Sequence, residues 1–283
     1  MPNFEPVPDI ILEPAIRNAI MEDLGAGGDV TTRSVLPAGR QYRASLNARQ
    51  EAVVSGMQAA ALAFRLIDPS LEVEIEIPDG TAGKPGDRLM SINGNAASIL
   101  AAERVALNFA GRLSGTATLT QSYVRAVEGT GTRITCTRKT TPGLKILEKL
   151  AVLHGGGFNH RFSLSDAILI KDNHIAAAGG VRPVLEAVQR NVGHMVVVEI
   201  EIDGLEQLDA VLEVGGAAAV LFDNMTTEDM AEAVRRIGGR MKTEASGNVR
   251  LDRLAEIAAT GVDYISSGAL THSAGTVDLG LDF

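Results

Sequence analysis

Six short apolar runs in the second half of the chain each end in polar groups. RITCT leads to Arg138-Lys139, AILI to Lys171-Asp172-Asn173-His174, and VVV to Glu199-Ile200-Glu201. AVLF leads to Asp223-Asn224, MKT to Glu244-Ala245-Ser246-Gly247-Asn248, and YI to Ser266-Ser267-Gly268. One polar strand end says little, because strand ends are usually exposed. Six in succession point to one shared site, since parallel α/β barrels gather their chemistry at the carboxyl ends of their strands.

The basic members are Arg138, Lys139, His160, Arg161 and Lys171, with Arg104 on a preceding helix as a further contributor. A guanidinium holds a carboxylate bidentately and an ammonium acts as a point charge, so the set suits a small, strongly anionic ligand. Scattered ion pairs are the plain alternative. Local composition weakens it, because Arg138-Lys139 are followed by Thr140-Thr141-Pro142-Gly143 with no acid until Glu148.

Glu199 and Glu201 stand two apart on a strand and therefore point to the same side. If that side is the barrel interior, both are expensive to bury unless a cation lies between them. With Asp223 they suit Mg²⁺, which takes oxygen ligands and phosphate co-ligands, or they stabilise a cationic transition state. The competing reading turns only one of the two inward, paired with a lysine. Ser246-Gly247-Asn248 and Ser266-Ser267-Gly268 follow the last two strands, where barrels commonly bind phosphate through backbone N–H groups. Plainer roles suit Cys136 (a buried small side chain), Met21 and Met57 (core), His154 and His194 (surface) and Asp29 (the N-cap of a short turn).

The elements that must hold these groups are legible in outline. Before residue 115 the order is mixed: helix 14–24, strands 43–54 and 71–77, then a helix over 96–113. After Gly115 strands alternate with helices, which implies parallel strands joined by right-handed crossovers. Helices are predicted over 119–127, 142–154, 184–190, 205–214, 227–237 and 251–260. Glu201, Asp223, Glu244 and Ser266 follow one another at 22, 21 and 22 residues, a barrel-like beat. Six strands fall short of the eight of a complete barrel. The expectation is an α/β chain: a first domain over 1–114, and an incomplete, open TIM-like barrel over 115–273. The tail 274–283 is free to return to the first domain.

Composition narrows the function. The 283 residues carry 26 Lys/Arg against 35 Asp/Glu, a net charge of −9 that argues against nucleic acid or an anionic membrane as partner. One cysteine makes no internal disulfide and no cysteine zinc cluster. The opening MPNFEPVPDI has no signal-peptide pattern, and no apolar run approaches the ~18 residues of a membrane span. A cytoplasmic protein is expected.

The chain resembles the quinolinate phosphoribosyltransferases, the carboxylating nicotinate-nucleotide pyrophosphorylases, over nearly its whole length. The matching segments include Glu22–Gly25 with Gly28–Thr32, Glu103–Asn108, Leu113–Thr118, Thr137–Gly143, Gly155–Arg161, Ile170–His174, Glu199–Glu201, Asp223-Asn224, Glu244–Asn248 and Ser267–Ser273. Arg-Lys-Thr-Thr-Pro, Gly-Gly-Gly-x-x-His-Arg and Lys-Asp-Asn-His are the most specific; Ser163 departs from an expected glycine. The resemblance implies an N-terminal α/β sandwich domain, an open barrel, and a homodimer with shared active sites, with or without further association.

Further implications concern the site. Arg104, Thr137, Arg138, Lys139, His160, Arg161 and Lys171 would bind quinolinate, with Arg104 reaching the neighbouring subunit's site. Glu201 and Asp223 would hold the ribose and Mg²⁺ of phosphoribosyl pyrophosphate. Ser246, Gly247, Asn248, Ser266, Ser267 and Gly268 would take its 5-phosphate. Lys139, Lys171, Glu201 and Asp223 would be catalytic. The implied reaction displaces pyrophosphate at the anomeric carbon with the pyridine nitrogen and then releases CO₂, as in NAD biosynthesis. Two rivals stand beside it: an aldolase-like barrel with a Schiff-base lysine at Lys171 or Lys139, and a non-catalytic phosphosugar-binding barrel.

Overall fold

A computed structural model describes residues 6–283, so half of the opening stretch MPNFEPVPDI lies outside the described residues. In chain order the elements are α1 (Asp9–Leu24), α2 (Val30–Val35), β1 (Gln41–Ala48), β2 (Ala52–Val53), α3 (Met57–Ile67), β3 (Glu72–Ile75), β4 (Ala82–Gly83) and β5 (Arg88–Asn95). There follow α4 (Ala96–Ala126), β6 (Arg133–Thr135), α5 (Lys145–His154), β7 (Ile168–Ile170), α6 (Asp172–Ala178), α7 (Val181–Asn191), β8 (Val198–Ile202) and α8 (Leu205–Val214). The last are β9 (Ala219–Asp223), α9 (Thr227–Ile237), β10 (Lys242–Ser246), α10 (Leu254–Ala258), β11 (Tyr264–Ser266), α11 (Ala269–His272) and β12 (Leu279–Asp282).

These elements form two compact units. One contains residues up to Gln121, Thr140–Gly156 and Ala269–Phe283; the other contains Ser122–Lys139 and Gly157–Gly268. In the first, an antiparallel sheet runs β12-β1-β5-β3. Its core joins Leu12, Ile16 and Ile20 of α1 to Met57 and Phe64 of α3 and to Leu46, Leu89 and Ile92 of the sheet. Met21 lies off that stripe and is exposed, not core. Asp29 caps α2, its carboxylate accepting the Thr32 N–H at 2.9 Å. The alternating LEVEIEI pattern yields only a four-residue edge strand, β3, whose apolar side is partly wet.

His154 is half-buried and not a surface residue: Ser55 Oγ lies 2.8 Å from its Nδ1. Burial holds its pKa down, while the neighbouring Asp79 opposes that shift. Asp79 in turn accepts the Met57 N–H at the start of α3, at 2.9 Å.

Helix α4 corrects the predicted break at Gly115, because it runs unbroken for 31 residues. Ser114-Gly115-Thr116 has low helix propensity, but its glycine answers to packing. A Cβ at Gly115 would lie 1.8 Å from the carbonyl oxygen of Gly275, and one at Gly111 would lie 2.7 Å from that of Val277. The bare helix face thus lets the segment leading to β12 lie against it, and Val277 N–H donates to Gly111 O at 3.0 Å.

The second unit is a six-stranded parallel sheet in the order β6-β11-β10-β9-β8-β7. β6 and β7 are its two ends, so the barrel is open. The apolar residues Ile134, Ile200, Ile202, Val220, Phe222, Ala245 and Ile265 are buried along its strands. Helices α8 and α9 occupy the predicted ranges; α6 is an addition, because Asp172-Asn173-His174 opens a helix instead of forming a loop.

Gly115→Ala is expected to lower stability by about 1–3 kcal/mol or more, the usual cost of overpacking. Thermal unfolding of the purified chain would read this as a fall in Tm, with Gly275 O as the clashing atom.

Candidate active site

Strand register sets the acids. Glu199 and Glu201 share one face of β8, and both are buried, at 8% and 9% exposure. Each has its own partner. Lys171 Nζ donates to Glu201 Oε2. Lys171 can do so because it is the N-cap residue of α6, where its extended backbone donates N–H to His174 Nδ1 at 2.9 Å.

Glu199 belongs to a second cluster. His160 Nε2 lies 3.0 Å from Glu199 Oε2 and 3.7 Å from Glu244 Oε1. On the other side of the ring, the Arg161 backbone N–H donates to His160 Nδ1 at 2.8 Å. An acceptor at Nδ1 requires the ring proton at Nε2 in the neutral imidazole, so Nε2 is a donor toward the carboxylates. The three ligating atoms lie within 4.8 Å of one another. With its proton on Nε2, however, the ring offers no lone pair to a metal there. Burial, and then the Glu199 carboxylate, push the Glu244 pKa up to about 7. Both effects favour the protonated form of Glu244.

The Gly155–Arg161 segment reaches the cluster by pairing with β6. Phe158 N–H donates to Ile134 O at 2.8 Å, and Cys136 N–H to Phe158 O at 3.1 Å. Arg133 stacks over the Phe158 ring at 4.8 Å, and the buried Cys136 thiol contacts Asn159 Oδ1 at 3.2 Å. Arg161 follows, half-buried, with Nη1 donating to Ala167 O at 2.8 Å and Nε buried without a hydrogen bond. Its pKa is lowered by burial and next by the Arg138 guanidinium, while Glu199 and Asp166 oppose the shift. The two guanidiniums are thus close enough to repel each other. Glu199 already accepts from His160, and Asp166 accepts from Phe162 and Ser163 N–H at 2.6 and 3.1 Å. Ser163 adds its hydroxyl to the same carboxylate at 2.5 Å, so the serine in place of glycine fastens its own loop.

Thr137, Arg138 and Lys139 continue from β6, with Lys139 N–H donating to Thr137 Oγ1 at 3.0 Å. Glu148 is the first acid after them in the sequence. Fully buried, it accepts from Thr141 N–H and Oγ1 at 2.9 and 2.7 Å and from Arg112 at 3.0 Å. Asp223 and Ser246 are paired across β9 and β10, with Gly247 and Asn248 just beyond. Ser266 and Ser267 are buried at the end of β11, where Ser267 N–H donates to Thr135 O at 3.1 Å and Gly268 follows. Arg104 lies in the other unit, on α4, with its side chain 65% exposed beside Asn108 and the 276–279 segment.

Two family models match the chain, quinolinate phosphoribosyl transferase N-terminal domain over residues 29–114 and C-terminal domain over residues 116–282. The chain belongs to the quinolinate phosphoribosyltransferase family. The probable nicotinate-nucleotide pyrophosphorylase [carboxylating] of Bacillus subtilis is 39% identical over 271 residues, covering 96% of this chain and 93% of that one. Quinolinate phosphoribosyltransferase [decarboxylating] 2, mitochondrial, of Nicotiana glauca is 40% identical over 291 residues, covering 97% and 82%. Among solved structures, NadC from Streptococcus pyogenes superposes with a TM-score of 0.93 at 35% identity, covering 98% of both chains.

Within this quinolinate phosphoribosyltransferase-family chain, Glu199 and Glu244 are site components whose partners the sequence left open. The signal was present: each is an acid inside an otherwise buried strand. Because the folded state favours protonated Glu244, wild-type stability should fall as pH rises from its unfolded value near 4.5 through about 7. Glu244→Gln removes that penalty. Its melting temperature should gain on wild type between pH 5 and pH 8; a constant difference would show that Glu244 does not titrate in that window.

Proposed function

We infer that the chain transfers the phosphoribosyl group of phosphoribosyl pyrophosphate to the ring nitrogen of quinolinate, with decarboxylation. Products are nicotinate mononucleotide, pyrophosphate and CO₂. Family membership over both domains supports the reaction, and the observation that carries the substrate reading is the half-buried Arg161 beside Arg138. Two adjacent guanidiniums suit a dicarboxylate better than a neutral or singly charged ring.

Arg138, Arg161 and Thr137, with Lys139 and Lys171, bind quinolinate in this reading. His160 contributes by fixing the Arg161 backbone. Glu201 and Asp223 face the ribose, where carboxylates stabilise the oxocarbenium character that develops as pyrophosphate departs. Ser246–Asn248 and Ser266–Gly268 take the 5-phosphate. After ring alkylation the pyridinium is itself the electron sink for loss of CO₂, so the protein's task is positioning. Lys139 and Lys171 bind and polarise without covalent adducts.

Mg²⁺ fits the donor set, because Glu201 and Asp223 offer only oxygen. Since Lys171 already engages Glu201, Asp223 is the better-placed protein ligand, with phosphate oxygens and water completing the shell. When bound, the ion balances charge on the departing pyrophosphate. We further propose a homodimer in which Arg104 serves the neighbouring site, and a cytoplasmic location. No helix of the described residues is long and apolar enough to cross a membrane.

Incubation with quinolinate, phosphoribosyl pyrophosphate and Mg²⁺ should yield nicotinate mononucleotide and CO₂ in equal amounts; no product at saturation would refute the reading. Arg161→Ala should lower kcat/KM for quinolinate about 100-fold, the loss expected for charge-assisted hydrogen bonds worth about 2–3 kcal/mol. Subunit sharing has its own test. Mixed Arg104→Ala and Lys171→Ala chains should recover about a quarter of wild-type activity, since random exchange makes about half the dimers mixed, each with one intact site. Inactivity after proven exchange would mean that each site is built from one chain.

A further inference from the structure

Among the described residues, only Asn224 and Asn248 have left-handed backbones without being glycine, at φ 54° and 47°. They meet. Asn248 Nδ2 donates to Asn224 Oδ1 at 3.0 Å, and Asn224 Nδ2 donates to Asp223 Oδ2 at 3.0 Å. The direction of this relay is chemically fixed. A carboxylate can only accept, so the Asn224 amide turns its nitrogen to Asp223 and its oxygen to Asn248.

Gly247 lies between the two asparagines. A Cβ there would fall 2.3 Å from Asn224 Oδ1, and its φ is +85°. Asn224 N–H also donates to Ser246 O at 3.0 Å, which joins the end of β9 to the loop after β10. Asparagine tolerates the left-handed region better than other side-chain-bearing residues. Holding two of them there, in contact, is a local cost that packing alone does not require of exposed loops.

We propose that Asn224 is a positioning residue that ties the Ser246–Asn248 loop to the Asp223 carboxylate. Phosphate settling in the loop then fixes the orientation of the carboxylate that faces the ribose. This rests on the assignment of phosphate to that loop and ribose to Asp223 made above. Asn224 touches neither substrate in this scheme; it transmits the position of one binding group to another.

The test uses the full chain with Mg²⁺ and both substrates, comparing Asn224→Gly, Asn224→Asp, Asn248→Ala and the Asn224→Gly/Asn248→Ala pair. Glycine keeps the backbone conformation and removes both amide contacts. Aspartate keeps the bond from Asn248 but sets a carboxylate against Asp223. Asn224→Gly should lower kcat about 10-fold or more while KM for quinolinate moves less than about 2-fold, the split expected when only the ribose side is disturbed. Asn224→Asp should be slower still, although it is nearer in size to asparagine. Adding Asn248→Ala to Asn224→Gly should cost little more, because the two act as one unit.

Ribose 5-phosphate binding, measured calorimetrically without metal, should weaken in Asn224→Gly as the loop loses its anchor. If Asn224→Gly does not fold, Asn224→Asp carries the same comparison. Wild-type turnover with an Asn224→Asp variant as fast as wild type, or with losses that multiply in the double variant, would overturn the relay alone. A wild type that neither turns over nor binds ribose 5-phosphate would overturn the functional reading beneath it.

Discussion

Burying Glu199, Glu201 and Glu244 along a parallel sheet takes three carboxylates out of water, at several kcal/mol per ion unless charge or hydrogen bonds replace the lost hydration. The chain answers in three ways. Lys171 is brought to Glu201 by the start of α6, and His160 is brought to Glu199 by the strand-like stub at Phe158. Burial pushes the Glu244 pKa up to about 7, which favours its neutral form. These answers sort the basic residues. Lys171 and His160 each engage a buried acid, whereas the Arg138 guanidinium is near enough to Arg161 to lower its pKa.

Much of this was legible in the sequence because it depends on local pattern. The alternation of apolar runs and amphipathic stretches gave six parallel strands and their order along the chain. The polar strand ends gave the positions of Arg138, Lys171, Glu201, Asp223 and Ser246. Glu199 and Glu201 face the same way because strand geometry leaves no other choice. The specific runs around Arg138-Lys139 and His160-Arg161 named the family that the domain comparisons bear out.

What escaped depends on contacts between distant residues. Gly115 falls in the gap read between helices 96–113 and 119–127, yet it is where α4 has no side chain to obstruct Gly275. His154 reads as a surface residue, and its contact with Ser55, 99 positions away, goes with an inward position. Glu148 reads as the acid nearest Arg138-Lys139, but Arg112 and Thr141 occupy it. The left-handed pair Asn224 and Asn248 gives no sign in composition, because asparagine in a loop is ordinary. In each case the residue type permits several roles, and a partner far along the chain selects one.

The antiparallel sheet carries a consequence for how the chain comes off the ribosome. β1 spans Gln41–Ala48, but its neighbour on one side is β12, at Leu279–Asp282. Until Leu279–Asp282 has emerged, β1 is an unguarded edge with its ladder groups on offer. The open barrel suffers no such delay, since all six of its strands lie between Arg133 and Ser266. Vectorial synthesis thus favours completion of the parallel sheet first, whereas the sheet begun earliest is sealed last. A chain lacking Leu279–Asp282 would carry that edge unpaired, a template for pairing with other strands.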